Sequence, residues 1–417
     1  MAKAAAPAKT GRQFVIVALI YFASSFVHAP VADPLHNPLP HFALGYFYFS
    51  PPMVLTGDSP HYLVLVNSLV EDFDLDVSNN YLQAEAGDFD QGIRNRGVHL
   101  DWHSEQSRNG GQYSLHNPYM PALVAAFAWP FRGTPWVEPV AVWINLLAGL
   151  AAIWFLARLT GGRWYLLLAF ATPLWCYSRD LWTEPWTAAS WAALLFLRNP
   201  WAGGLVALAG VLIRYPFALV VFVAGLVLFW RGERKRSMAV LAGGGLALVV
   251  GMAVAQYVYG HTGHFSLFHA GYHVQVSGTQ TRAFLVGPFR LQWQGLVGLL
   301  FDPEAGLLIF SPFLVWGLWR FRKGGFEYLP AVAYFLLIAS YSEWHGGTTF
   351  SARYLVPMLP VTVLGVWEER PHGRLFAVLV AWSTLWAGVG GVTSALVYDR
   401  SPVAVVQHVF KKLSVRR

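Results

Sequence analysis

Residues 216–259 read PFALVVFVAGLVLFW, then RGERKR, then SMAVLAGGGLALVVGMAVAQYVY. Two apolar runs flank a hinge, Arg231-Gly-Glu-Arg-Lys-Arg236, that carries four basic residues and one acid. A helix needs about 20 apolar residues to cross about 30 Å of hydrocarbon. Basic residues clustered between two such runs hold their connection on the cytoplasmic side. The stretch therefore reads as two membrane helices joined on the inside, and it sets the register for the rest of the chain.

Working outward, comparable runs fall at roughly 13–32, 136–157, 164–178, 182–197, 201–213, 305–319, 327–342, 354–367 and 375–397. With the first pair they predict about eleven transmembrane helices in an all-α polytopic membrane protein, residues 1–417 forming one domain. Several runs are shorter than 20 residues, which points to close packing or to polar ends that continue the helix. Hydrophobic residues make up 55% of the chain and charged residues 12%, too few to coat a water-facing surface. The same figures exclude a disordered chain, a collagen-like fibre and a coiled coil. The nineteen tryptophans suit interfacial belts. A net charge of +7 would point a soluble protein toward nucleic acid, but here the basic residues follow the helix ends and no nucleic-acid partner is expected. Cys176 is the single cysteine, so an intrachain disulfide or a Cys-based zinc site cannot form.

Lys3, Lys9 and Arg12 precede the first run and look like the start of a signal sequence. Pro30 and Pro34 crowd the cleavage region, so the run is read as an uncleaved first span. With the N-terminus in the cytoplasm, Arg158, Arg163, Arg198, the Arg231–Arg236 hinge, Arg320, Arg322, Lys323, Arg370 and Arg374 all fall inside. Of the twenty-two acids, only Glu233, Glu327, Glu368 and Glu369 join them. This arrangement requires Tyr119–Phe131 to be a helix lying in the outer interface through Met120, Leu123, Phe127 and Trp129, and not a span. The outer face then has a first loop at 33–135 carrying interfacial helices, a second long loop at 260–304, and turns at 179–184, 214 and 343–353. The expected location is the bacterial inner membrane. Gly243-Gly244-Gly245 lacks the spacing of a phosphate-binding loop and is read as a helix-packing surface.

Chemistry-bearing residues gather in those outer segments. Thr56-Gly-Asp58-Ser-Pro-His61-Tyr62 begins a surface helix whose apolar face runs Tyr62, Val66, Leu69, Phe73. Either Asp58 or Ser59 caps that helix, or Asp58, beside His61 and Tyr62, takes a proton from an acceptor hydroxyl. Glu71-Asp-Phe-Asp-Leu-Asp76 is read as a solvated acidic end and not as a metal pair, and Tyr113-Ser-Leu-His116-Asn-Pro118 closes the first loop. In Ser178-Arg179-Asp180-Leu-Trp-Thr-Glu184-Pro185, Arg179 and Asp180 are able to neutralise each other. Glu184 is either a dipole-stabilised cap or a second active carboxylate. Arg214-Tyr-Pro216 splits an apolar run, where an arginine snorkels to headgroups or meets an anion. Glu343-Trp-His345-Gly-Gly-Thr-Thr-Phe-Ser-Ala-Arg353-Tyr354 ends on a guanidinium able to clamp a phosphate through parallel hydrogen bonds. Histidines 261, 264, 269 and 273 crowd the second loop; 269 and 273 are spaced i,i+4, but Gly271 lies between them and no sequence signal fixes a helix, so a metal site is not expected there.

In this order, Asp58-Ser-Pro-His-Tyr62, Tyr113-Ser-Leu-His116-Asn-Pro, Ser178-Arg-Asp-Leu-Trp-Thr-Glu184-Pro, Arg214-Tyr-Pro and Phe350-Ser-Ala-Arg353-Tyr-Leu-Val-Pro resemble the C-type (GT-C) integral-membrane glycosyltransferases. The branch they resemble is that of the protein O-mannosyltransferases and aminoarabinose transferases. The resemblance implies a polyprenyl-phosphate sugar donor arriving from the membrane lipid and a lipid, glycan or protein acceptor on the outer, periplasmic side. By position Asp58 matches the family's first-loop acid, and Glu184 matches its acid before proline. His116 stands where relatives often carry Lys-Pro, and the large soluble C-terminal domain of many members is missing.

The chemistry is consistent with that likeness. Sugar transfer through an oxocarbenium-like state needs a base for the nucleophile and positive charge for the departing phosphate. Asp58 and Glu184 are the candidate catalytic acids. His61, Tyr62, His116, Arg179, Asp180, Arg214, Glu343, His345, Arg353 and Tyr354 are the candidate substrate-binding residues. A divalent metal ion would serve the same end as the arginines. The rival class is a lipid flippase or transporter of a cell-envelope precursor, which would place its site near the midplane between repeats. A non-catalytic envelope partner would leave the outer acids and bases without use.

Overall fold

A computed structural model describes residues 7–28, 40, 42–44, 47–54, 57–86, 103–107, 110–259, 292–323, 325, 328–341, 343–346 and 349–392. The first helix, α1 (Pro7–Ser24), leads within three residues into a small antiparallel sheet of β1 (Val27–His28), β2 (Phe42–Leu44) and β3 (Phe47–Phe49), in the order β1-β3-β2. The remainder of the 33–135 segment holds α2 (Ser59–Asn67), α3 (Ser78–Ala86), the hairpin of β4 (Ser104–Gln106) and β5 (Gln112–Ser114), and α4 (Tyr119–Ala128). A helical bundle follows, beginning with α5 (Val137–Thr160), α6 (Tyr165–Phe170), α7 (Leu174–Ser178), α8 (Thr183–Phe196), α9 (Pro200–Ile213), α10 (Phe217–Trp230) and α11 (Arg234–Tyr259). Beyond residue 291 come α12 (Trp293–Phe301), α13 (Leu307–Phe310), α14 (Val315–Lys323), α15 (Leu329–Ala339), α16 (Leu359–Glu369) and α17 (Arg374–Val392).

Among the described residues three helices, α5, α11 and α17, are long and apolar enough to cross a membrane. The 14-residue helices α8, α9 and α10 rise about 21 Å each, short of a full hydrocarbon core. Two stretches read as continuous spans are broken. The 164–178 run divides into α6 and α7 at Pro173, and the 305–319 run divides at Pro312, since proline offers no N–H to the helix. Lipid is the medium this surface requires: Trp201 is 81% exposed and Leu385 60%. The protein is a helical membrane protein.

The interior is aromatic, with Tyr21, Tyr165, Tyr177, Trp182, Phe217, Phe313 and Tyr334 wholly buried. Helices approach closely where glycine removes side-chain bulk, as at Gly243 against the Gly204 carbonyl and Gly317 against the Thr362 carbonyl. Gly244 packs on Val221, whereas Gly245 faces open space, so two of the three glycines read as a packing surface serve that purpose.

Basic residues follow several of these helices, in the turns after α5, α8, α10 and α16. The turns after α8 and α10 meet through Arg198–Glu233 at 3.8 Å, and Arg236 pairs with the same Glu233 at 2.9 Å. Arg320–Glu368 at 2.7 Å and Lys323–Glu369 at 2.6 Å join α14 to α16 in the same way. The start of α8, the end of α9 and the start of the 3-10 segment Arg353–Met358 lie at the opposite ends of their helices. α4 continues as one 3-10 turn over Trp129–Phe131 and is too short to span. Leu123, Phe127 and Trp129 are exposed as an interfacial helix requires, but Met120, expected beside them, is fully buried against the loop core.

Candidate active site

Glu184 lies in the first turn of α8, where Trp182 is extended and Pro185 needs no donor. Its placement depends on Asn145 of α5, which donates to the Tyr177 carbonyl at 3.0 Å and to the Asp180 carbonyl while accepting from Trp186 Nε1 at 2.9 Å. α9 stops at Ile213, where Arg214 turns extended two residues before Pro216, the N-cap of α10. The two turns therefore meet, and Arg214 Nη1 donates to Glu184 Oε1 at 2.6 Å and to Thr183 Oγ1 at 3.1 Å. Arg353 enters from a loop whose Gly346 sits at φ +71, a left-handed position that favours glycine, and a Cβ added there would come within 3.4 Å of the Arg353 Cβ. Its Nε donates to the same Glu184 oxygen at 2.7 Å and its Nη2 to Asp58 Oδ2 at 2.5 Å. The guanidinium lies 4.1 Å from the Trp182 ring centroid.

Asp58 holds the N-cap position of α2 yet makes no side-chain cap bond; its carboxylate is turned to Arg353. Pro60 and the Asp58 carbonyl, which accepts from Tyr62 N at 3.1 Å, start the helix without it. Burial pushes the Asp58 carboxyl up, but the Arg353 guanidinium, followed by His116 and His61, outweighs that and holds it well below the usual carboxylate range. Four charges thus alternate in one chain, Asp58, Arg353, Glu184, Arg214.

A histidine cluster adjoins the acid. His61 Nδ1 meets the Tyr81 hydroxyl at 2.8 Å and stacks on His103 at 3.7 Å, while His103 Nδ1 lies 3.2 Å from His116 Nε2. His103 was not foreseen among the site residues. The signal for it is the hairpin: Gly110-Gly111 joins two short strands, and the Ser104–Ser114 register sets His103 opposite the segment leading to His116.

Beside the acid lies a cavity of about 120 Å³ whose lining includes the polar side chains of Asp58, Tyr62, His116, Arg214, Arg353 and Tyr354. Leu65, Leu75, Ile213, Val254, Ala255 and Val258 also line it. A buried water needs only about 10–15 Å³ of such volume, so the space admits a substrate group. Glu184 sits behind this lining, fully buried, and His61 sits behind His116.

Four expected residues lie elsewhere. Arg179 donates to the Val27 carbonyl, fastening the sheet to the bundle, and Asp180 accepts from its neighbour Leu181 N at 2.8 Å. Glu343 and His345 face each other at 3.2 Å on a partly exposed turn. The Glu71–Asp76 acids are engaged locally, Glu71 with Arg132 at 3.1 Å, Asp72 with Asn79 at 2.9 Å and Asp76 with Ser78 Oγ at 2.7 Å. Among the described residues no three His, Cys, Asp or Glu side chains form a metal-holding group. Histidines 261, 264, 269 and 273 lie outside the described residues. Phe73, read as the end of the α2 apolar face, is exposed in a left-handed conformation, because a π-turn over Ser68–Asp72 shifts the register.

No family model matches this chain, and no curated protein does. Among solved structures it is similar to the crystal structure of the Archaeoglobus fulgidus oligosaccharyltransferase tethered with an acceptor peptide, with a TM-score of 0.43 and 13% identity. The match covers 97% of this chain and 54% of that one, so the chain spans about half the length of that protein.

Proposed function

We propose that this protein is a glycosyltransferase of the bacterial inner membrane that moves a sugar from a polyprenyl-phosphate donor to an acceptor on the outer face. The observation that carries the reading is the cavity itself: its lining combines a carboxylate and two guanidiniums with aliphatic side chains, and it lies at the helix ends opposite the basic turns. A lipid-linked phosphate sugar has that same combination of apolar chain and charged head. The motif order from Asp58 to Arg353 adds the likeness to C-type glycosyltransferases.

In this reading the acceptor hydroxyl gives its proton to Asp58 as its oxygen bonds to the anomeric carbon. The bond from that carbon to the phosphate oxygen breaks, and the polyprenyl phosphate leaves with the electron pair, its charge met by Arg353 and Arg214. One base opposite the departing phosphate gives inversion at the anomeric carbon. Glu184 is a positioning residue, holding both guanidiniums from behind. A flippase or transporter is disfavoured because Asp58, Glu184, Arg214 and Arg353 gather where helices begin and end and not within a helix interior.

The test is transfer or hydrolysis by the purified full-length protein in nanodiscs, supplied with a panel of labelled polyprenyl-phosphate sugars. Release of polyprenyl phosphate with wild-type protein and its loss in Arg353→Ala is the expected result. Vectorial movement of the intact lipid sugar between leaflets, without cleavage, would establish the flippase in its place.

A further inference from the structure

The charged chain beside the cavity is already neutral: two carboxylates, Asp58 and Glu184, meet two guanidiniums, Arg353 and Arg214. A phosphate arriving at this site finds both arginines engaged. One carboxylate has to yield for a guanidinium to meet the phosphate; otherwise, among the described residues, His116 is the remaining cavity-lining group able to balance an anion in a poorly hydrated place.

The two acids are not equally able to yield. Glu184 is completely buried, receives both arginines on one oxygen and does not line the cavity. Asp58 is 28% exposed, lines the cavity and, among the described residues, has its ion pair with Arg353. It also stands at the edge of its element: Gly57 at φ +73 turns the chain into α2, and the helix start does not use the Asp58 side chain. Arg353, by contrast, is held from behind by Glu184 and across its plane by Trp182, so it stays in place when its front partner changes.

We propose that Asp58 occupies Arg353 as an internal stand-in for the donor phosphate. The arriving phosphate takes its place and releases Asp58 to the acceptor. The base thereby becomes available only once the donor is seated, which makes binding ordered and limits reaction of an acceptor with an empty site. This rests on the lipid-phosphate reading of the cavity.

The consequence runs against intuition, since removing a proposed catalytic acid should tighten binding of the leaving lipid. A ligand competing with an internal partner sees its affinity lowered by the fraction of sites left open, so relief amounts to about tenfold if Arg353 is open one time in ten. The full-length protein in phosphatidylcholine nanodiscs is titrated with a polyprenyl monophosphate, and separately with inorganic phosphate. Asp58→Asn and Asp58→Ser, both neutral and both good helix caps, should bind the polyprenyl phosphate about tenfold more tightly than wild type. Asp58→Glu, which keeps the charge, should not. Equal or weaker binding by the neutral variants, or tightening in Asp58→Glu as well, overturns the exchange while leaving the lipid-phosphate reading intact. Tightening confined to inorganic phosphate overturns the lipid as the occupant. Failure of every form, wild type included, to bind polyprenyl phosphate removes the reading on which the proposal rests.

Discussion

Glu184 and Arg214 meet at 2.6 Å at the junction of α8 and α9, and the same Glu184 oxygen also receives Arg353. One buried carboxylate therefore holds two guanidiniums whose side chains are 10% and 8% exposed, with Asp58 supplying the second negative charge. Such an acid belongs to the fold as much as to the chemistry. Glu184→Gln leaves two buried cations facing a neutral amide, and removal of one partner of a buried ion pair costs about 3–5 kcal/mol. Thermal unfolding of the detergent-solubilised variant should show a lowered midpoint and a reduced yield of monodisperse protein. A wild-type midpoint would mean that Glu184 carries no structural charge balance.

Arg353 makes a different kind of demand. Its Nε and Nη2 reach two acids in different directions while its plane rests on Trp182. A lysine keeps the charge but is a single point that cannot reproduce this fork. Each hydrogen bond to a charged group is worth about 1.5–3 kcal/mol, so Arg353→Lys should weaken polyprenyl-phosphate binding by about 10- to 100-fold. The comparison requires a variant whose unfolding midpoint is near wild type. Unchanged affinity in such a protein would take Arg353 out of the phosphate site.

The candidate residues could be picked out singly but not as a set. Asp58 follows Gly57, Glu184 precedes Pro185, Arg214 stands two residues before Pro216 and Arg353 opens an apolar run, and ionisable groups at such depth invite attention. The same local signs mark Arg179 and Asp180, which the structure uses to fasten a strand and a turn. They mark Glu343 and His345 too, which face each other away from the cavity lining. What separates the groups is contact across long stretches of chain: Arg353 is 169 residues from Glu184 and 295 from Asp58. Local pattern carries no information about that distance. The breaks at Pro173 and Pro312 went unread because apolarity continues through them, and Met120 was misassigned because helix α4 is apolar on both faces.

The alternation of basic turns and site turns can be tested directly. Gln106, in the hairpin near the histidine cluster, and His372, in the turn after α16, are exposed and belong to opposite ends of the bundle. Single cysteines at these positions should react with a membrane-impermeant thiol reagent from opposite sides, Gln106→Cys from outside and His372→Cys after lysis alone. The native Cys176 is buried and should contribute little background. Labelling of both positions from one side would overturn the alternation.

The glycine run in α11 offers a test of packing in which neighbouring residues behave oppositely. A Cβ at Gly243 would collide with the Gly204 carbonyl of α9, a backbone atom that has no other rotamer to adopt. At Gly245 the same atom would meet nothing. Overpacking typically costs about 1–3 kcal/mol, so Gly243→Ala should lower the unfolding midpoint. Gly245→Ala, which exchanges glycine for a better helix former, should leave it equal or higher. Equal loss in both variants would argue against close approach of α9 and α11.

The last prediction concerns Asp58 and pH. Its carboxyl is held below the usual carboxylate range by Arg353, His116 and His61 against the upward push of burial. A group whose pKa is lower in the folded state stabilises the fold in its ionised form. That stabilisation is complete above the unfolded value of about 4 and is lost as pH falls through the folded one. The part of the difference in unfolding midpoint between wild type and Asp58→Asn that Arg353 supplies should therefore persist from about pH 5 to 8 and shrink only in stronger acid, while the part that His116 and His61 supply through positive charge should fade as pH rises through the histidine range. Absence of any difference at about pH 8 would contradict the Arg353 pairing. Asparagine is isosteric but accepts no proton, and loss of a positioned base costs about 10²–10⁴-fold in rate. Asp58→Asn should thus fold, bind polyprenyl phosphate and release almost no sugar. Wild-type turnover by this variant would remove Asp58 as the base while leaving its pairing with Arg353 intact.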